Sequence, residues 1–391
     1  MFSLKITEVN AVSLVKYFIP SHWGRLLVRI KTDEGYVGYG ESGEDSRWGV
    51  GVTLIDNWAK QVVGSDPMET KKILRRIWYS MKHFGRDGIT MGTLSAVDFA
   101  LLDVKGKIMD VPTCDLIGGK FRDRIRVYCD TSHAEPLEDP ESHVRVVRDA
   151  LKRGFDSVKF DLDTGFRGRE MLGWEPYNQH LRNDELKWMV KVTDAIRNAV
   201  GDDIELMVDL HGVYNTTSAI KIAKALEPFN LTWLEEPVPA ENVDAMREVK
   251  RSTFTPICAG ENLHSAWRFR RLLEKQAVSI IEPDLNKCGG ILEGQNIAHM
   301  ADLQYIPVAP HNTSTPVGTL AACHFCASIP NFVSLEWHGL REAAEWSRLV
   351  KWDGSIIKDG YIMIPDKPGL GFELNEEACL EANPEAEVLF T

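Results

Sequence analysis

The stretch ELMVDLHG, residues 205–212, runs from apolar side chains into an acid, a histidine and a glycine. Successive side chains of a strand alternate between its two faces, so Asp209 and His211 point to the same side. A buried strand that ends in a carboxylate and an imidazole indicates a polar site at one edge of a sheet. Similar polar endings recur along the chain, and this recurrence predicts the fold.

Beyond residue 125 the chain alternates short apolar runs with amphipathic helical stretches. This alternation predicts a parallel sheet with right-handed crossovers, and eight such units match a closed (β/α) barrel. The carboxyl ends of the strands then meet at one mouth, where enzymes with this fold carry their active sites. The apolar runs are IRVYC (125–129), SVKFD (157–161), ELMVD (205–209), TWLEE (232–236), PICAGE (256–261), SIIEPD (279–284), IPVAPH (306–311) and FVSLEW (332–337).

The same pattern divides the chain into three regions. Residues 1–124 show strand patterns followed by a helix at 93–108, which predicts an α+β capping domain. Residues 125–345 predict the barrel, with an inserted loop at 163–180. Residues 346–391, rich in Pro and Gly, predict a segment that packs back on the capping domain. The predicted fold class is α/β, a TIM-like (β/α) barrel with an N-terminal α+β capping domain completed by the C-terminal tail.

The composition argues against several classes of protein. The chain has 45 Lys and Arg against 57 Asp and Glu, a formal charge of −12, which disfavours binding to a nucleic-acid backbone. The first residues lack the order of a signal peptide, and no apolar segment approaches the roughly 20 residues that span a bilayer. The seven cysteines do not suggest a disulfide framework. We therefore expect a cytoplasmic protein that binds neither nucleic acid nor membrane.

Three of the strand ends carry acids at the same phase. Asp209, Glu235 and Glu261 are spaced by 26 residues, one strand–helix unit each. Any one of them could cap a helix or form a salt bridge, but three carboxylates at one mouth need a counter-charge to stay ionised. Oxygen ligands favour Mg²⁺ over Zn²⁺. We choose Glu235 over its neighbour Glu236, which faces the opposite way, because Glu235 matches the barrel-facing phase of Trp233.

Other strand ends indicate a base and a cation. Asp284 and His311 end adjacent strands, and a carboxylate partner would fix the tautomer of the imidazole and raise its basicity. Lys159 ends the second strand, and a buried lysine without a function is uncommon. Two alternatives stay open for Lys159: a structural ion pair with Asp161 or Glu205, or direct contact with a substrate.

These residues resemble the motifs of the enolase superfamily, in its mandelate racemase subgroup. The likeness extends over nearly the whole chain, from a helix and linker of the capping domain to a closing segment near the C-terminus. Together the motifs are specific, whereas any one of them alone would be weak. They are SAVDFALLDVKGKIMDVPTCDLIGGKFRD (95–123), VDLHG (208–212), LEEPV (234–238), AGEN (259–262), EPDLNKCGG (282–290), APHN (309–312) and IPDKPGLG (364–371).

The resemblance implies roles for the strand-end residues. The three acids would bind Mg²⁺, and His311, paired with Asp284, would be the catalytic base. Glu336 would approach the substrate carboxylate from the eighth strand and help to stabilise an enediolate. Lys159 would lie near the same carboxylate.

One departure from the subgroup bears on the reaction. Racemases and cycloisomerases of the subgroup carry Lys-x-Lys at the end of the second strand, and the second lysine is a base on the other face of the substrate. Here the stretch is KFD (159–161), so Asp161, which we assign to substrate binding, takes that place. The pair of Asp209 and His211 instead resembles the Asp-x-His pair of acid-sugar dehydratases of the galactonate and gluconate dehydratase type. In those enzymes the histidine is the general acid.

The resemblance thus implies a Mg²⁺-dependent dehydratase of a sugar acid. The base would remove the proton next to the carboxylate, and loss of the 3-hydroxyl from the enediolate would give a 2-keto-3-deoxy acid. An epimerase, racemase or cycloisomerase with Lys159 as second base is the alternative within the subgroup. A sugar-acid-binding barrel without turnover is the alternative of another class. By analogy with the family we expect a homo-oligomer, a dimer or an octamer.

The capping domain is expected to close the mouth. Its loops 17–25 and 82–88 carry polar and aromatic residues that suit recognition of the distal end of a sugar acid. For any one of these residues a plain surface loop is an equal alternative. The predicted substrate-binding residues of the two loops are His22, Trp23, Arg25 and Arg86.

Overall fold

The computed structural model describes residues 4–14, 25–43, 49–83, 85–163, 169–170, 173, 175, 177–340 and 343–391. Its first part is an antiparallel sheet in the order β1–β2–β3, against which helices pack. The strands are β1 (Ile6–Leu14), β2 (Arg25–Thr32) and β3 (Val37–Ser42), and the helices are α1 (Val50–Val62), α2 (Thr70–Ser80) and α3 (Ile89–Met109).

Glycines allow α3 to lie directly on this sheet. A Cβ atom on Gly38 would lie 2.2 Å from the carbonyl oxygen of Ala100, and one on Gly40 would lie 2.0 Å from that of Ala96. The helix can therefore approach β3 only because both side chains are absent. α3 is buried along most of its length, since the sheet packs on one side of it and the barrel on the other.

A closed parallel barrel follows the capping domain, which confirms the predicted fold class. Neighbouring strands pair in chain order from β4 to β9, and β10 pairs with β4 to close the ring. The strands are β4 (Arg124–Asp130), β5 (Ser157–Asp161), β6 (Glu205–Asp209), β7 (Trp233–Glu235), β8 (Ile257–Ala259), β9 (Ile280–Ile281) and β10 (Leu335–Trp337). A cluster of buried residues fills the interior below the mouth: Tyr128, Met207, Trp233, Cys258, Ile280 and Ala309.

The predicted seventh strand is reduced to a bridge at one residue. Val308 pairs in parallel with Ile281 on one side and with Phe332 on the other. Pro307 and Pro310 flank it, and a proline has no N–H to donate to a sheet ladder. The barrel still closes, but regular strand pairing does not extend to the end of the apolar run 306–311.

Helices follow the barrel strands and form the outer layer of the barrel, while one short helix precedes β4 and another lies near the C-terminus. They are α4 (Thr113–Leu116), α5 (Pro140–Lys152), α6 (Asn183–Val200), α7 (Thr216–Leu226), α8 (Val243–Arg251), α9 (Ser265–Glu274), α10 (Ile291–Asp302), α11 (Pro316–Ser328), α12 (Ala343–Ser347) and α13 (Glu376–Ala382). α8 buries Val243, Met246 and Val249 on one face. α11 is buried all round, because it lies between the barrel and the capping domain. Among the described residues, no helix is long and apolar enough to cross a membrane.

The C-terminal segment divides between the barrel and the capping domain. A hairpin of β12 (Ile357–Lys358) and β13 (Tyr361–Met363) pairs antiparallel with β4, an extension of the barrel sheet that the sequence did not predict. The chain end returns to the capping domain, where the hydroxyl of Tyr39 donates to the carbonyl of Leu389 at 3.0 Å. A separate two-stranded sheet joins β11 (Val350–Lys351) and β14 (Glu373–Leu374).

Candidate active site

Three carboxylates meet at the mouth of the barrel. Asp209 ends β6, Glu235 ends β7 and Glu261 follows β8, and one oxygen of each lies within 4.8 Å of the others. The strand register places Asp209 directly beside Glu235. Glu236 is not part of this carboxylate trio, since its side chain accepts a hydrogen bond from Asn262 Nδ2 at 2.7 Å.

Lys159 contributes a buried positive charge to this cluster. Its Nζ lies 3.0 Å from Asp209 Oδ2, 2.5 Å from Glu235 Oε1 and 2.6 Å from Glu336 Oε1. The residue is 1% exposed. A buried ammonium group with three carboxylate neighbours is held firmly in its charged form, because losing the proton would leave those charges unopposed.

The carboxylate trio fits a divalent cation. All its donors are carboxylate oxygens, which Mg²⁺ prefers, and all three side chains are buried. Although Lys159 lies close to Glu235, burial and the charge of Asp209 hold the pKa of Glu235 well above its ordinary value, so this carboxylate lacks compensating positive charge. A cation held by Asp209, Glu235 and Glu261 would supply the missing positive charge.

His311 forms a dyad with Asp284. Its Nδ1 lies 2.9 Å from Asp284 Oδ2, and this carboxylate also accepts from the backbone N–H of Asn286 at 2.7 Å. The dyad directs Nε2 toward the trio, 2.8 Å from Glu261 Oε2. Burial lowers the pKa of His311, but the charges of Glu261 and Glu336 outweigh burial and hold the pKa well above its ordinary value. A cation that balances these carboxylates would favour the neutral imidazole that a base requires.

His211 forms a second dyad, with Asp163. Its Nδ1 lies 3.2 Å from Asp163 Oδ1, and its Nε2 lies 3.7 Å from Asp209 Oδ2. The backbone adopts φ 41°, a left-handed conformation that few residues other than glycine adopt. Partial enclosure lowers the pKa of His211, but the charges of Asp209 and Asp163 hold it well above its ordinary value. The side chain is 41% exposed, and the two neighbouring carboxylates favour its protonated form, which can donate a proton.

The partners of Lys159 differ from the two that the sequence suggested. Glu205 starts β6, at the far end of the barrel from the mouth, and pairs with an arginine of β4 at 2.8 Å. Asp161 groups with Asp163 and His211, with one ligand atom of each within 4.8 Å of the others. Burial raises the pKa of Asp161 above its ordinary value. Its role in substrate binding stays a prediction.

Sequence reasoning missed three residues at the mouth. Asp163 is one of them, and the others form a pair: His338 Nε2 lies 3.1 Å from Glu336 Oε1, and its Nδ1 lies 3.5 Å from Asp130 Oδ1. His338 is two residues beyond Glu336, as Asp163 is two beyond Asp161. Strand alternation would have found both if the apolar runs had been extended, by one position for His338 and by two for Asp163.

Arg25 and Glu41 join the capping domain to the loop that follows His311. The Nε of Arg25 lies 3.4 Å from Glu41 Oε1, and its guanidinium donates to Thr313 Oγ1 at 3.1 Å. Glu41 accepts from the backbone N–H of Thr315 at 3.0 Å and from the first turn of α11. The predicted contact of Arg25 with substrate stays a prediction, because the contacts that the structure gives it are with protein groups.

Arg86 packs on an aromatic ring of the capping domain. Its guanidinium carbon lies 3.4 Å from the centroid of Trp78, and its Nε donates to the carbonyl of the same residue at 2.9 Å. Its predicted contact with substrate also stays a prediction. The predicted contacts of His22 and Trp23 lie outside the described residues.

Known proteins resemble this chain over its whole length. The family model described as "Mandelate racemase / muconate lactonizing enzyme, N-terminal domain" matches residues 23–118, and "Enolase C-terminal domain-like" matches residues 143–378. D-xylonate dehydratase of Haloferax volcanii is 41% identical over 391 residues, which cover 99% of this chain and 90% of that one. D-galactarolactone cycloisomerase of Agrobacterium fabrum is 30% identical over 91% of this chain and 90% of that one.

A solved structure shares the same architecture. The crystal structure of a mandelate racemase/muconate lactonizing enzyme-like protein from Rubrobacter xylanophilus matches with a TM-score of 0.89 and 38% identity. The match covers 97% of this chain and 98% of that one. The chain therefore belongs to the enolase superfamily, in its mandelate racemase and muconate lactonizing enzyme family.

Proposed function

We propose that the protein is a Mg²⁺-dependent dehydratase of sugar acids, a hydro-lyase. The observation that carries the proposal is the pair of dyads. His311 and His211 each bind an aspartate through Nδ1, and each presents Nε2 to the carboxylate trio from a different strand end. An elimination needs one group that takes a proton and another that gives one, and the two dyads supply both.

The two histidines act on neighbouring carbons of the substrate. His311 Nε2 takes the proton from the carbon next to the carboxylate, and His211 gives its Nε2 proton to the 3-hydroxyl, which leaves as water. The enol that remains tautomerises to a 2-keto-3-deoxy acid. Bound Mg²⁺ would stabilise the negative charge that develops on the carboxylate oxygens. Lys159 adds fixed positive charge in the same place, and Glu336 holds the ammonium group of Lys159 at 2.6 Å.

The substrate class rests on the relative named D-xylonate dehydratase, at 41% identity. Sugar acids differ in chain length and in the configuration of their hydroxyl groups, features that residues at the rim of the mouth would recognise. We also propose a homo-oligomer, a dimer or an octamer, in the cytoplasm. The proposed contacts to the substrate are Lys159, Asp161, His22, Trp23, Arg25 and Arg86.

A screen of aldonic and aldaric acids tests the proposed function. Keto-acid formation is measured with Mg²⁺ and with EDTA. We expect at least one aldonate to yield keto acid with Mg²⁺, and we expect no product with EDTA or with the His311→Asn variant. If no acid of the panel yields keto acid, the dehydratase proposal is wrong.

The epimerase and cycloisomerase alternative needs a second base, and Lys159 is the candidate. Burial lowers the pKa of Lys159, but the charges of Glu235, Glu336 and Asp209 hold it well above its ordinary value. These charges favour the protonated form of Lys159, and in that form it cannot accept a proton from the other face of a substrate. The non-catalytic alternative is disfavoured by the dyads, because a binding protein has no need of a proton acceptor.

A further inference from the structure

We propose that His338 is a substrate-binding residue whose Nδ1–H donates a hydrogen bond to an oxygen of the bound sugar acid. This inference rests on the proposed function, since it concerns how the same site holds its substrate. His338 follows β10, two residues after Glu336, and therefore shares the face of the strand that lines the mouth.

His338 is the accessible member of a buried cluster. The side chains of Lys159 and Glu336 are 2% and 0% exposed, and that of His311 is 5% exposed. The side chain of His338 is 25% exposed. The ring of His338 is therefore more accessible to a ligand than the ammonium group of Lys159.

Glu336 fixes the orientation of the ring and leaves one nitrogen available. Nε2 of His338 lies 3.1 Å from Glu336 Oε1, which is hydrogen-bonding distance. Nδ1 lies 3.5 Å from Asp130 Oδ1, which is too long for a strong hydrogen bond. The carboxylate of Asp130 also accepts from the backbone N–H and the hydroxyl of Ser132, both at 3.0 Å. Nδ1 is thus the ring atom with capacity for a ligand.

The charge of the ring suits an anionic ligand with many hydroxyl groups. Burial lowers the pKa of His338, but the charges of Asp130 and Glu336 outweigh burial and leave the pKa above its ordinary value. A protonated imidazole donates from both nitrogens, one toward Glu336 and one toward the ligand. The mouth is rich in carboxylates that would repel an organic acid, so an additional cation favours its binding.

Two substitutions separate the roles of the two ring nitrogens. His338→Asn keeps an amide near the position of Nδ1 and loses the reach to Glu336, whereas His338→Gln keeps an amide near Nε2 and leaves the position of Nδ1 empty. Calorimetry with Mg²⁺ measures binding in a His311→Asn background, which prevents turnover. The probe is the sugar acid that the screen shows to be consumed, or D-xylonate if none is consumed. We expect the Gln variant to bind about tenfold more weakly or worse, and the Asn variant within about threefold of its parent.

Control measurements and the remaining binding results test the role assigned to Nδ1 of His338. Unchanged Mn²⁺ binding and melting temperature in both variants are expected and show that the carboxylate trio is intact. If the Gln variant binds like its parent, if both variants lose affinity equally, or if the loss is confined to the Asn variant, the role assigned to Nδ1 is wrong. The same holds if the parent binds no sugar acid at all. A wild-type protein that binds sugar acids without forming keto acid contradicts the dehydratase proposal and leaves the comparison of the His338 variants valid.

Discussion

His211 and His311 each bind an aspartate through Nδ1, but they differ in exposure. The side chain of His311 is 5% exposed, and that of His211 is 41% exposed. A group that protonates a leaving hydroxyl must reach the open part of the mouth, and His211 does. A group that removes a weakly acidic proton benefits from exclusion of water, which would otherwise solvate it, and His311 is in that environment.

The roles of the two histidines can be separated by substitution. In His211→Asn the base and the carboxylate trio remain, so the α-proton of the substrate should still exchange with solvent deuterium. Formation of keto acid should fall by about 10²–10⁴-fold, the usual contribution of a general acid. Proton NMR in D₂O measures both quantities, with His311→Asn as a control that should lose exchange as well. Unchanged turnover by His211→Asn would remove its role as the acid.

Lys159 should matter for stability as well as for activity. Lys159→Met leaves three buried carboxylates without their ammonium partner, which costs about 3–5 kcal/mol when one member of a buried ion pair is removed. Mg²⁺ should reduce the loss, because a cation on the trio replaces part of the charge. Urea unfolding with Mg²⁺ and with EDTA measures this effect. The control Lys72→Met removes an exposed partner of Glu69 and should change stability by less than about 1 kcal/mol. Equal stability of the two variants would show that the ammonium group of Lys159 does not offset the charges of the buried carboxylates.

At the scale of elements, strands β2 and β3 of the capping domain hold the loop that follows the base. Glu41→Gln keeps an acceptor for Thr315 but leaves Arg25 buried without its carboxylate partner. We expect a loss of about 3 kcal/mol in stability and a lower kcat, because the loop after His311 loses its support. Glu8→Gln is a matched control on the same sheet, since Glu8 is 41% exposed and pairs with Arg29 at 3.0 Å. If the stability and kcat of the Glu41→Gln variant match those of the control, the capping domain does not support the loop after His311 in this way.

A second contact between elements should respond to pH. Asp98 of α3 accepts the backbone N–H of Ile291, at the start of α10, at 2.6 Å, and burial raises its pKa from 3.8 to about 7. The folded protein therefore keeps this proton to a higher pH than the unfolded chain does. The stabilisation from Asp98 is fully present below about pH 4 and is lost as the pH rises through about 7. Asp98→Asn removes this dependence, so the unfolding free energy of the variant relative to the wild type should rise between about pH 4 and about pH 7. A difference that is constant over this range would show that Asp98 does not titrate there.

At the scale of the whole molecule, the sequence predicts the barrel because the alternation of apolar run and helix is repeated along the chain. An error in the interpretation of one strand–helix unit therefore does not disturb the interpretation of the other units. The unit at Val308 shows this, since Pro307 and Pro310 prevent regular pairing and the ring closes nevertheless. The position of the carboxylate trio could be predicted for a related reason. Parallel strands that end in acids at one phase must bring those acids together.

Contacts between distant strands could not be predicted in the same way. Two partners of Lys159 come from the fourth and eighth strand ends, which are not adjacent to its own strand, whereas the sequence suggests neighbours on its own and the adjacent strand. His338 was missed because its run was ended one residue early. The sequence of the tail hairpin that pairs with β4 shows only two short apolar segments, which do not indicate the strand with which they pair.

The proposed dehydratase eliminates water and does not invert a stereocentre. The most direct test incubates the consumed sugar acid with the enzyme and Mg²⁺ in D₂O and follows both substrate and product by NMR. We expect a 2-keto-3-deoxy acid as the product and no recovered substrate of inverted configuration. Recovered substrate that carries deuterium at C2 in the inverted configuration, with no keto acid formed, would contradict it.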